Sequence, residues 1–316
     1  MAKKWKVLLP QPVVQAGMEL LEKNGKCEVI VFPSPDMGEI KKVIGEIDAL
    51  LVRSGFKVRQ DLLEMATRLK VISRVGAGLD NIDVEYARKK GIEVLNVEGA
   101  NALSVAEHTI SFILALAKNL FDFDRRVRRG EWDVRYTYRA FEVQGKTLGL
   151  VGFGLIGRET ARLALSLGMR VLFYDPFIEG EFGLAVERVH CLDDLLRESD
   201  FVSLHTPLSE HTRGMIGEKE LKCMKPTAFL INVSRGAVVD THALCRALRE
   251  KWIAGAATDV FAEEPPPANH VLFSFESIIV TPHVAGLTRE CSERVAIKAV
   301  ENLIRALEDR EREVQS

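Results

Sequence analysis

The sequence predicts an α/β protein with two doubly wound parallel sheets, and three observations support this fold class. Short runs rich in Val, Ile and Leu alternate with stretches of helical spacing along the chain. These runs fall into two series that are separated by one long helical segment. The length, 316 residues, is sufficient for two separate hydrophobic cores.

The first series of apolar runs lies within residues 1–100 and predicts the first sheet. A helix-like stretch separates each run from the next, so parallel strands joined by crossover helices are expected. The five predicted strands are KVLLP, EVIVFP, ALLVRS, LKVISRV and IEVLNV.

A long helix is predicted from about Asn101 to Phe123. Its segment LSVAEHTISFILALAKNL is about as long as a membrane span, but it contains Glu107, His108 and Lys118. We therefore expect a buried helix, or one that packs on a partner subunit. The following stretch, RRVRRGEWDVRYTYRAFEVQGKT, mixes charged and aromatic residues without clear periodicity and predicts a crossover with an extended arm.

The second series of apolar runs predicts the second sheet. Its six strands are TLGLVGFG, RVLFYD, FVSLHTP, AFLINVSRG, AGAATDVF and IIVTPH. After them, RVAIKAVENLIRALEDRERE has helical spacing and predicts one or two terminal helices that return to the first domain.

Composition and charge exclude several classes of protein. A formal net charge of -2 produces no field that would hold the chain on nucleic acid or on an anionic membrane. The N-terminal stretch MAKKWKVLLPQPVVQ lacks the apolar run and the cleavage site of a signal peptide. The five cysteines have no C-x-x-C spacing, so we expect neither a disulfide framework nor a metal site, and the cytoplasm is the expected location.

A glycine-rich turn begins the second series. Gly152, Gly154 and Gly157 have the G-x-G-x-x-G spacing directly after a predicted strand and before a helical pattern, which suits a dinucleotide pyrophosphate. Asp175 ends the next apolar run about twenty residues on, where a carboxylate binds the adenosine ribose. An acid at this position also repels a 2′-phosphate, so the pattern predicts NAD rather than NADP.

Three charged residues follow predicted strands, at the edge where open parallel sheets bind ligands. They are Arg235 of AFLINVSRG, Glu264 after AGAATDVF, and His283 of IIVTPH. A guanidinium suits a substrate carboxylate or a carbonyl oxygen that gains charge, and histidine carries protons near neutral pH. If Glu264 meets His283, the carboxylate would fix the ring tautomer and stabilise the imidazolium. Each residue alone also has a structural reading: a strand cap, a solvated acidic loop and a structural histidine.

Taken together, these motifs resemble the D-isomer-specific 2-hydroxyacid dehydrogenase family over nearly the whole chain. The matching stretches are VGFGLIGRETA with YDP, HTPLSEHTRGMI, FLINVSRGAVVD, ATDVFAEEP and TPHVAG. The resemblance implies that Arg235, Glu264 and His283 are catalytic. It also implies NAD-dependent interconversion of a D-2-hydroxy acid and its 2-keto acid.

The resemblance further implies how the domains and contacts are arranged. Residues 1–100 plus 288–316 would form a substrate-binding domain and residues 101–287 an NAD-binding domain, both Rossmann-like or flavodoxin-like, with a cleft between them. A homodimer through residues 101–145 is expected. The implied cofactor contacts, beside the glycines and Asp175, are Leu155, Ile156, Thr206, Pro207, Val233, Ser234, Arg235, Asp259, His283 and Gly286. The implied substrate contacts are Arg53, Ser54, Val75, Gly76, Ala77, Gly78, Arg235 and His283.

Two stretches bear on the substrate. VRSGFKV and RVGAGLDNID resemble phosphoglycerate dehydrogenases most closely, which implies 3-phosphoglycerate and 3-phosphohydroxypyruvate, a step of serine biosynthesis, in a short form of the enzyme. The arm GEWDVRYTY departs from the family's GxWxR-like pattern, because Val134 follows Trp132-Asp133 and the basic residue is Arg135. Hydroxypyruvate, glyoxylate or another small 2-keto acid is therefore an alternative substrate. An NAD-sensing regulatory protein resembling the corepressors of this fold is a second alternative.

Overall fold

The computed structural model describes residues 4–315. The chain forms two compact units, Met1–Asn101 with Leu287–Ser316, and Ala102–Gly286. Of the first unit, residues 1–3 and 316 lie outside the described residues. We call these the first unit and the second unit.

The first unit contains a five-stranded parallel sheet in the order β2-β1-β3-β4-β5, which is the flavodoxin-like order. Each of the five predicted runs contributes one strand. The strands are β1 (Trp5–Leu9), β2 (Cys27–Val31), β3 (Ala49–Val52), β4 (Val71–Arg74) and β5 (Glu93–Leu95).

Four helices connect these strands. Asp36 and Asp83 begin two of them, because each aspartate accepts hydrogen bonds from N–H groups of the first helical turn. The helices are α1 (Gln15–Lys23), α2 (Met37–Val43), α3 (Gln60–Met65) and α4 (Val84–Lys89).

The second unit contains a seven-stranded parallel sheet in the order β12-β11-β10-β9-β6-β7-β8. Within it, six consecutive strands have the Rossmann order, with the reversal of direction between β6 and β9. The strands are β6 (Thr147–Val151), β7 (Arg170–Tyr174), β8 (Val186–Arg188), β9 (Phe201–Leu204), β10 (Phe229–Asn232), β11 (Gly255–Thr258) and β12 (Ile278–Val280). The sequence pattern missed β8, because it has three residues, none of them buried.

Six helices belong to the second unit. They are α5 (Ala102–Ala117), α6 (Leu120–Arg128), α7 (Leu155–Ser166), α8 (Leu192–Glu198), α9 (Glu218–Cys223) and α10 (Thr241–Glu250). The prediction of one continuous helix over 101–123 is wrong. Asn119 has φ 51°, a left-handed conformation that asparagine tolerates, and it separates α5 from α6. Its side-chain amide donates to the Arg139 carbonyl, 3.0 Å away, which ties the break to the arm.

Helix α5 is part of the core of the second unit. Phe112, Ile113 and Leu116 of this helix are buried in the same cluster as Phe153 and Ala161. Within residues 4–315, no helix has both the length and the apolar character that crossing a membrane requires.

The chain ends in a single helix, α11 (Arg289–Gln315), which belongs to the first unit. It packs closely on α1, because a Cβ added at Gly17 would lie 3.1 Å from the Cβ of Ala296. The hydroxyl of Ser73 on β4 donates to the Ala299 carbonyl at 2.8 Å.

Candidate active site

The glycine turn after β6 is closely packed at two of its glycines and open at the third. Gly152 has φ +95°, and a Cβ there would lie 2.8 Å from the His205 carbonyl oxygen. A Cβ at Gly157 would lie 2.5 Å from the Gly152 carbonyl oxygen, so packing demands glycine at both positions. Gly154 is different, because a Cβ there would meet no atom within 4 Å. This open space lies directly before the N-terminus of α7, where the backbone can approach a phosphate group.

Leu155 and Ile156 form the first turn of α7. Leu155 is exposed at the helix N-terminus, while Ile156 is half-buried against the core.

Asp175 lies at the end of β7, beside the glycine turn. Its Oδ2 accepts from the Phe153 N–H at 2.8 Å and its Oδ1 accepts from the Phe177 N–H at 2.9 Å. A carboxylate has about four acceptor positions, so it retains capacity for ribose hydroxyls. Asp175 therefore also holds the glycine turn in place, a role that the sequence pattern did not indicate.

The segment after β9 contains two buried polar atoms without a partner among the described residues. They are Nδ1 of His205 and Oγ1 of Thr206, which precedes Pro207. The other ring nitrogen of His205 lies 3.0 Å from the Ser203 hydroxyl. Burial lowers the pKa of His205 to about 3, so its ring is neutral at pH 7. An unpaired hydroxyl at Thr206 fits a position that a polar group of a cofactor would satisfy.

Arg235 follows β10 in extended conformation, two residues after Val233. Asn232, the last residue of β10, accepts from the Ser234 N–H at 3.1 Å and donates to the Arg235 carbonyl at 2.9 Å. A Cβ at Gly236 would lie only 2.0 Å from the carbonyl carbon of Phe261. The end of β10 therefore packs directly against the loop that follows β11.

Glu264 and His283 are in contact. Nδ1 of His283 lies 2.6 Å from Oε2 of Glu264, and Oε1 of Glu264 accepts from the Phe261 N–H at 3.0 Å. A carboxylate only accepts, so Nδ1 of His283 carries the proton and Nε2 is the ring atom that can exchange one.

The charge of Glu264 is favoured by its neighbours. Partial burial raises the pKa of its carboxyl, but the hydrogen bonds from His283 and from the Phe261 N–H act in the opposite direction. The charges of His283 and Arg235 act in the same direction as these hydrogen bonds, and the net pKa of Glu264 is lowered. The carboxylate form is therefore stabilised beside the imidazole.

Asp259 organises the turn that carries His283. This turn is unusual, because His283 has φ 56°. The side chain of Asp259 is 1% exposed, and its two oxygens accept from the N–H groups of Val284 and Ala285, each at 2.9 Å. The Asp259 carbonyl accepts from the His283 N–H at 2.7 Å, and Gly286 is the next residue after Ala285. The predicted contact of Asp259 with the nicotinamide stays a prediction.

The predicted substrate contacts of the first unit lie after adjacent strands. Arg53 and Ser54 follow β3, while residues 75–78 follow β4. At Gly76, φ is +137° and a Cβ would fall 1.3 Å from Nη1 of Arg74, so this guanidinium covers the glycine. Arg74 donates to the Val75 carbonyl at 3.1 Å, and Asn96 donates to the Ala77 carbonyl at 2.7 Å.

Sequence reasoning missed Arg74 and Asn96. No motif marks either residue, although the position of Arg74 two residues before Gly76 could have indicated it.

The second unit thus combines an open glycine position at a helix N-terminus with a paired carboxylate and imidazole. Arg235 lies close enough to Glu264 for its charge to act on the carboxyl. Such a set can bind a dinucleotide, hold an anionic oxygen and transfer one proton. Within residues 4–315, no group of three or more His, Cys, Asp or Glu side chains could hold a metal ion.

Comparison with known proteins agrees with this chemistry. A family model described as D-isomer specific 2-hydroxyacid dehydrogenase, NAD binding domain, matches residues 110–285. The chain belongs to the D-isomer-specific 2-hydroxyacid dehydrogenase family. It is an NAD-dependent oxidoreductase that acts on 2-hydroxy acids, and its second unit contains the NAD-binding domain of this family.

Relatives cover almost the whole chain. A glyoxylate reductase of Thermococcus litoralis is 42% identical over 95% of this chain and 92% of its own length. An (S)-sulfolactate dehydrogenase of Chromohalobacter salexigens is 45% identical over 95% and 98%. A D-3-phosphoglycerate dehydrogenase of Methanocaldococcus jannaschii is 40% identical over 96% of this chain, but over only 57% of its own length.

A solved structure shows the same fold with a cofactor and a substrate. The D-lactate dehydrogenase of Aquifex aeolicus, complexed with NAD and lactic acid, superposes with a TM-score of 0.85. It is 31% identical, and the match covers 98% of this chain and 96% of that chain.

Proposed function

We propose that this dehydrogenase interconverts a small D-2-hydroxy acid and its 2-keto acid through Arg235, Glu264 and His283. The observation that carries the proposal is the contact of 2.6 Å between His283 Nδ1 and Glu264 Oε2. It lies at the carboxyl edge of the sheet whose glycine turn fits the cofactor.

NADH, held at the glycine turn and at Asp175, would supply the hydride for C2 of the keto acid. His283 then donates its Nε2 proton to the oxygen on C2, and in the oxidative direction the same nitrogen accepts the hydroxyl proton. Glu264 holds Nδ1–H and stabilises the imidazolium form. Arg235 stabilises the negative charge that develops on the oxygen. The backbone at residues 75–78, with Arg53 and Ser54, receives the substrate carboxylate.

The cofactor preference is for NAD over NADP. Asp175 presents a carboxylate whose two oxygens are fixed by the Phe153 and Phe177 N–H groups. A negative charge that is held in this way binds ribose hydroxyls and repels a 2′-phosphate. Thr206, Pro207 and Asp259 would line the nicotinamide.

For the substrate, an unphosphorylated keto acid such as glyoxylate or hydroxypyruvate is our first candidate. The guanidinium of Arg135 packs over the rings of Trp132 and Tyr136, with distances of 5.8 and 5.2 Å to the centroids. Val134, which replaces the basic residue of the arm, is buried. Position 134 therefore presents no cation to a phosphate group, and the exposed guanidinium of Arg135 is held against two aromatic rings. The 42% identity to a glyoxylate reductase supports this candidate.

The second candidate is 3-phosphohydroxypyruvate, the substrate implied for serine biosynthesis. It is favoured by the stretches VRSGFKV and RVGAGLDNID and by the 40% identity to a D-3-phosphoglycerate dehydrogenase. Arg53 and Arg74 of the first unit are cations at the ends of β3 and β4. They are the groups that would face a phosphorylated substrate under this candidate.

We also propose a homodimer and a cytoplasmic location. The segment 101–145 exposes several large apolar side chains, which is typical of an interface. They are Leu103, Leu120, Phe121, Val127, Trp132, Tyr136 and Tyr138. The location is supported by five cysteines that are all free thiols, as in a reducing compartment.

The experiment that tests the proposed function is NADH consumption against a panel of keto acids. The panel contains glyoxylate, hydroxypyruvate, 3-phosphohydroxypyruvate, pyruvate and sulfopyruvate, with NADPH in parallel. We expect the highest kcat/KM with glyoxylate or hydroxypyruvate, and with NADH. A preference for 3-phosphohydroxypyruvate would select the second candidate, and turnover of none would favour an NAD-sensing regulatory protein.

A further inference from the structure

A chain of hydrogen bonds connects helix α5 to the turn that carries His283. Nε2 of His108 lies 3.1 Å from the hydroxyl oxygen of Thr281, although the two residues are 173 positions apart in sequence. The same hydroxyl lies 2.5 Å from Oδ1 of Asp259. Asp259 in turn accepts from the N–H groups of Val284 and Ala285.

The direction of the protons follows from the chemistry of the groups. The Asp259 carboxylate can only accept, so Thr281 donates its single hydroxyl proton to Oδ1. Thr281 Oγ1 must therefore accept from His108, which requires the tautomer with hydrogen on Nε2. Half-burial lowers the pKa of His108, and the charge of Asp259, which acts in the opposite direction, does not offset this. The neutral ring has the one donor that the chain needs.

The position of His108 is itself fixed by packing. Its ring meets the ring of Phe112 edge to face, with centroids 4.5 Å apart, one turn further along α5. Helix α5 is packed in the core of the second unit. His108 is therefore a rigid anchor for Thr281 and for the Asp259 carboxylate.

The turn at the far end of this chain needs support. His283 has φ 56°, a conformation that costs energy for a residue with a Cβ and persists only where its surroundings impose it. Asp259 imposes it from both sides, through its carbonyl at the His283 N–H and through its carboxylate at the next two N–H groups. A rotation of the Asp259 carboxylate would release two of these three hydrogen bonds.

We propose that His108 is a positioning residue for the reaction, acting through Thr281 and Asp259 on the turn that presents His283. This inference rests on the proposed role of His283 as the proton carrier. His108 has no contact with the reacting atoms in the proposal. Its function is to keep Nε2 of His283 within reach of the substrate oxygen.

The test replaces His108 and Thr281, the two members of the hydrogen-bond chain that lie farthest from His283. It measures the rate of hydride transfer in a single turnover, by the loss of NADH absorbance. In His108→Leu and in Thr281→Val we expect this rate to fall about ten- to a hundredfold, because a small displacement of a catalytic group has effects of this size. The KM for NADH should stay within about twofold. His108→Gln, whose amide can donate from a similar position, should recover most of the rate.

Two further variants complete the design. His242→Leu, at an exposed histidine in the first turn of α10, is the matched control and should keep the wild-type rate. In the double variant His108→Leu with Thr281→Val, the rate of hydride transfer should be no lower than in the slower single variant. Both changes break the same series of hydrogen bonds, so their effects should not add.

Three outcomes would overturn the proposal. They are a wild-type rate in both single variants, a loss that appears only in the KM for NADH, and a loss in His108→Leu that His108→Gln does not recover. His283→Ala separates this failure from failure of the proposed function. If His283→Ala keeps its turnover, the role of His283 is wrong, whereas if it loses turnover while His108→Leu does not, only the positioning role is wrong.

Discussion

Nδ1 of His283 lies 2.6 Å from Oε2 of Glu264, and the two residues follow neighbouring parallel strands, β12 and β11. Parallel strands end on the same edge of a sheet, so loops that follow adjacent strands can meet there. The contact orients the ring, since the carboxylate requires hydrogen on Nδ1 and leaves Nε2 for the substrate.

Glu264→Gln removes the carboxylate charge but keeps an acceptor for Nδ1–H. The carboxylate orients Nδ1–H and balances the charge on the ring during proton transfer, so we expect kcat for keto acid reduction to fall about ten- to a thousandfold, with the Kd for NADH nearly unchanged. A wild-type kcat in Glu264→Gln would show that the charge of Glu264 does not act on the ring.

Gly236→Ala tests the close packing of the Arg235 turn on the loop after β11. The added Cβ would lie 2.0 Å from the Phe261 carbonyl carbon, so the backbone must move. We expect a loss of about 1–3 kcal/mol in the free energy of unfolding and a lower kcat, because Arg235 and Glu264 are displaced together. Gly45→Ala is the control, since its Cβ would lie 3.5 Å from the nearest atom, the Met65 carbonyl oxygen. Equal stability of both variants in urea unfolding would contradict this view of the packing.

His205 should make the stability depend on pH. Burial lowers its pKa from 6.5 to about 3 in the folded chain, so between these values the unfolded chain binds more protons. Stability is therefore lost as pH falls below about 6.5, by about 1.4 kcal/mol per pH unit from this group. In His205→Gln the free energy of unfolding should depend less on pH. Between pH 6.5 and about pH 5, the difference in free energy of unfolding between the variant and the wild type should change by about 2 kcal/mol. If the free energy of unfolding, measured in urea, changes with pH equally in the two proteins, His205 makes no such contribution.

The homodimer prediction concerns the exposed apolar residues at the start of α6. Leu120 and Phe121 are 53% and 57% exposed, and an aspartate at both positions would place two charges in the proposed interface. We expect light scattering to give a dimer for the wild type and a monomer for Leu120→Asp with Phe121→Asp. Met65→Asp, at an exposed apolar residue of α3, should leave the mass unchanged. A monomeric wild type would contradict the prediction.

The sheets and the residues at their carboxyl edges could be predicted because their signals are local. An apolar run such as AFLINVSRG or AGAATDVF indicates a strand, and the charged residues that follow it indicate the carboxyl edge, without any knowledge of the fold. The sequence gives no such signal where an element is short, or where the conformation of a single residue determines that a helix ends. Strand β8 has three residues with no buried position, and the break between α5 and α6 depends on the left-handed conformation of Asn119.

The groups that hold the site in place could not be predicted, because their contacts are long-range. His108, Thr281 and Asp259 lie on α5, after β12 and after β11, and only the folded chain brings them together. Asp175 illustrates a second difficulty. Its offset from the glycines indicated ribose binding, but its hydrogen bonds to the Phe153 and Phe177 N–H groups depend on the geometry of the turn.

The central claim is that His283 transfers the proton, and the most direct test is the turnover of His283→Ala. We expect its kcat for keto acid reduction to fall by about two to four orders of magnitude, with the Kd for NADH nearly unchanged in a fluorescence titration. His242→Ala, at the exposed histidine of α10, should retain the wild-type kcat. Turnover of His283→Ala at the wild-type rate would contradict the account.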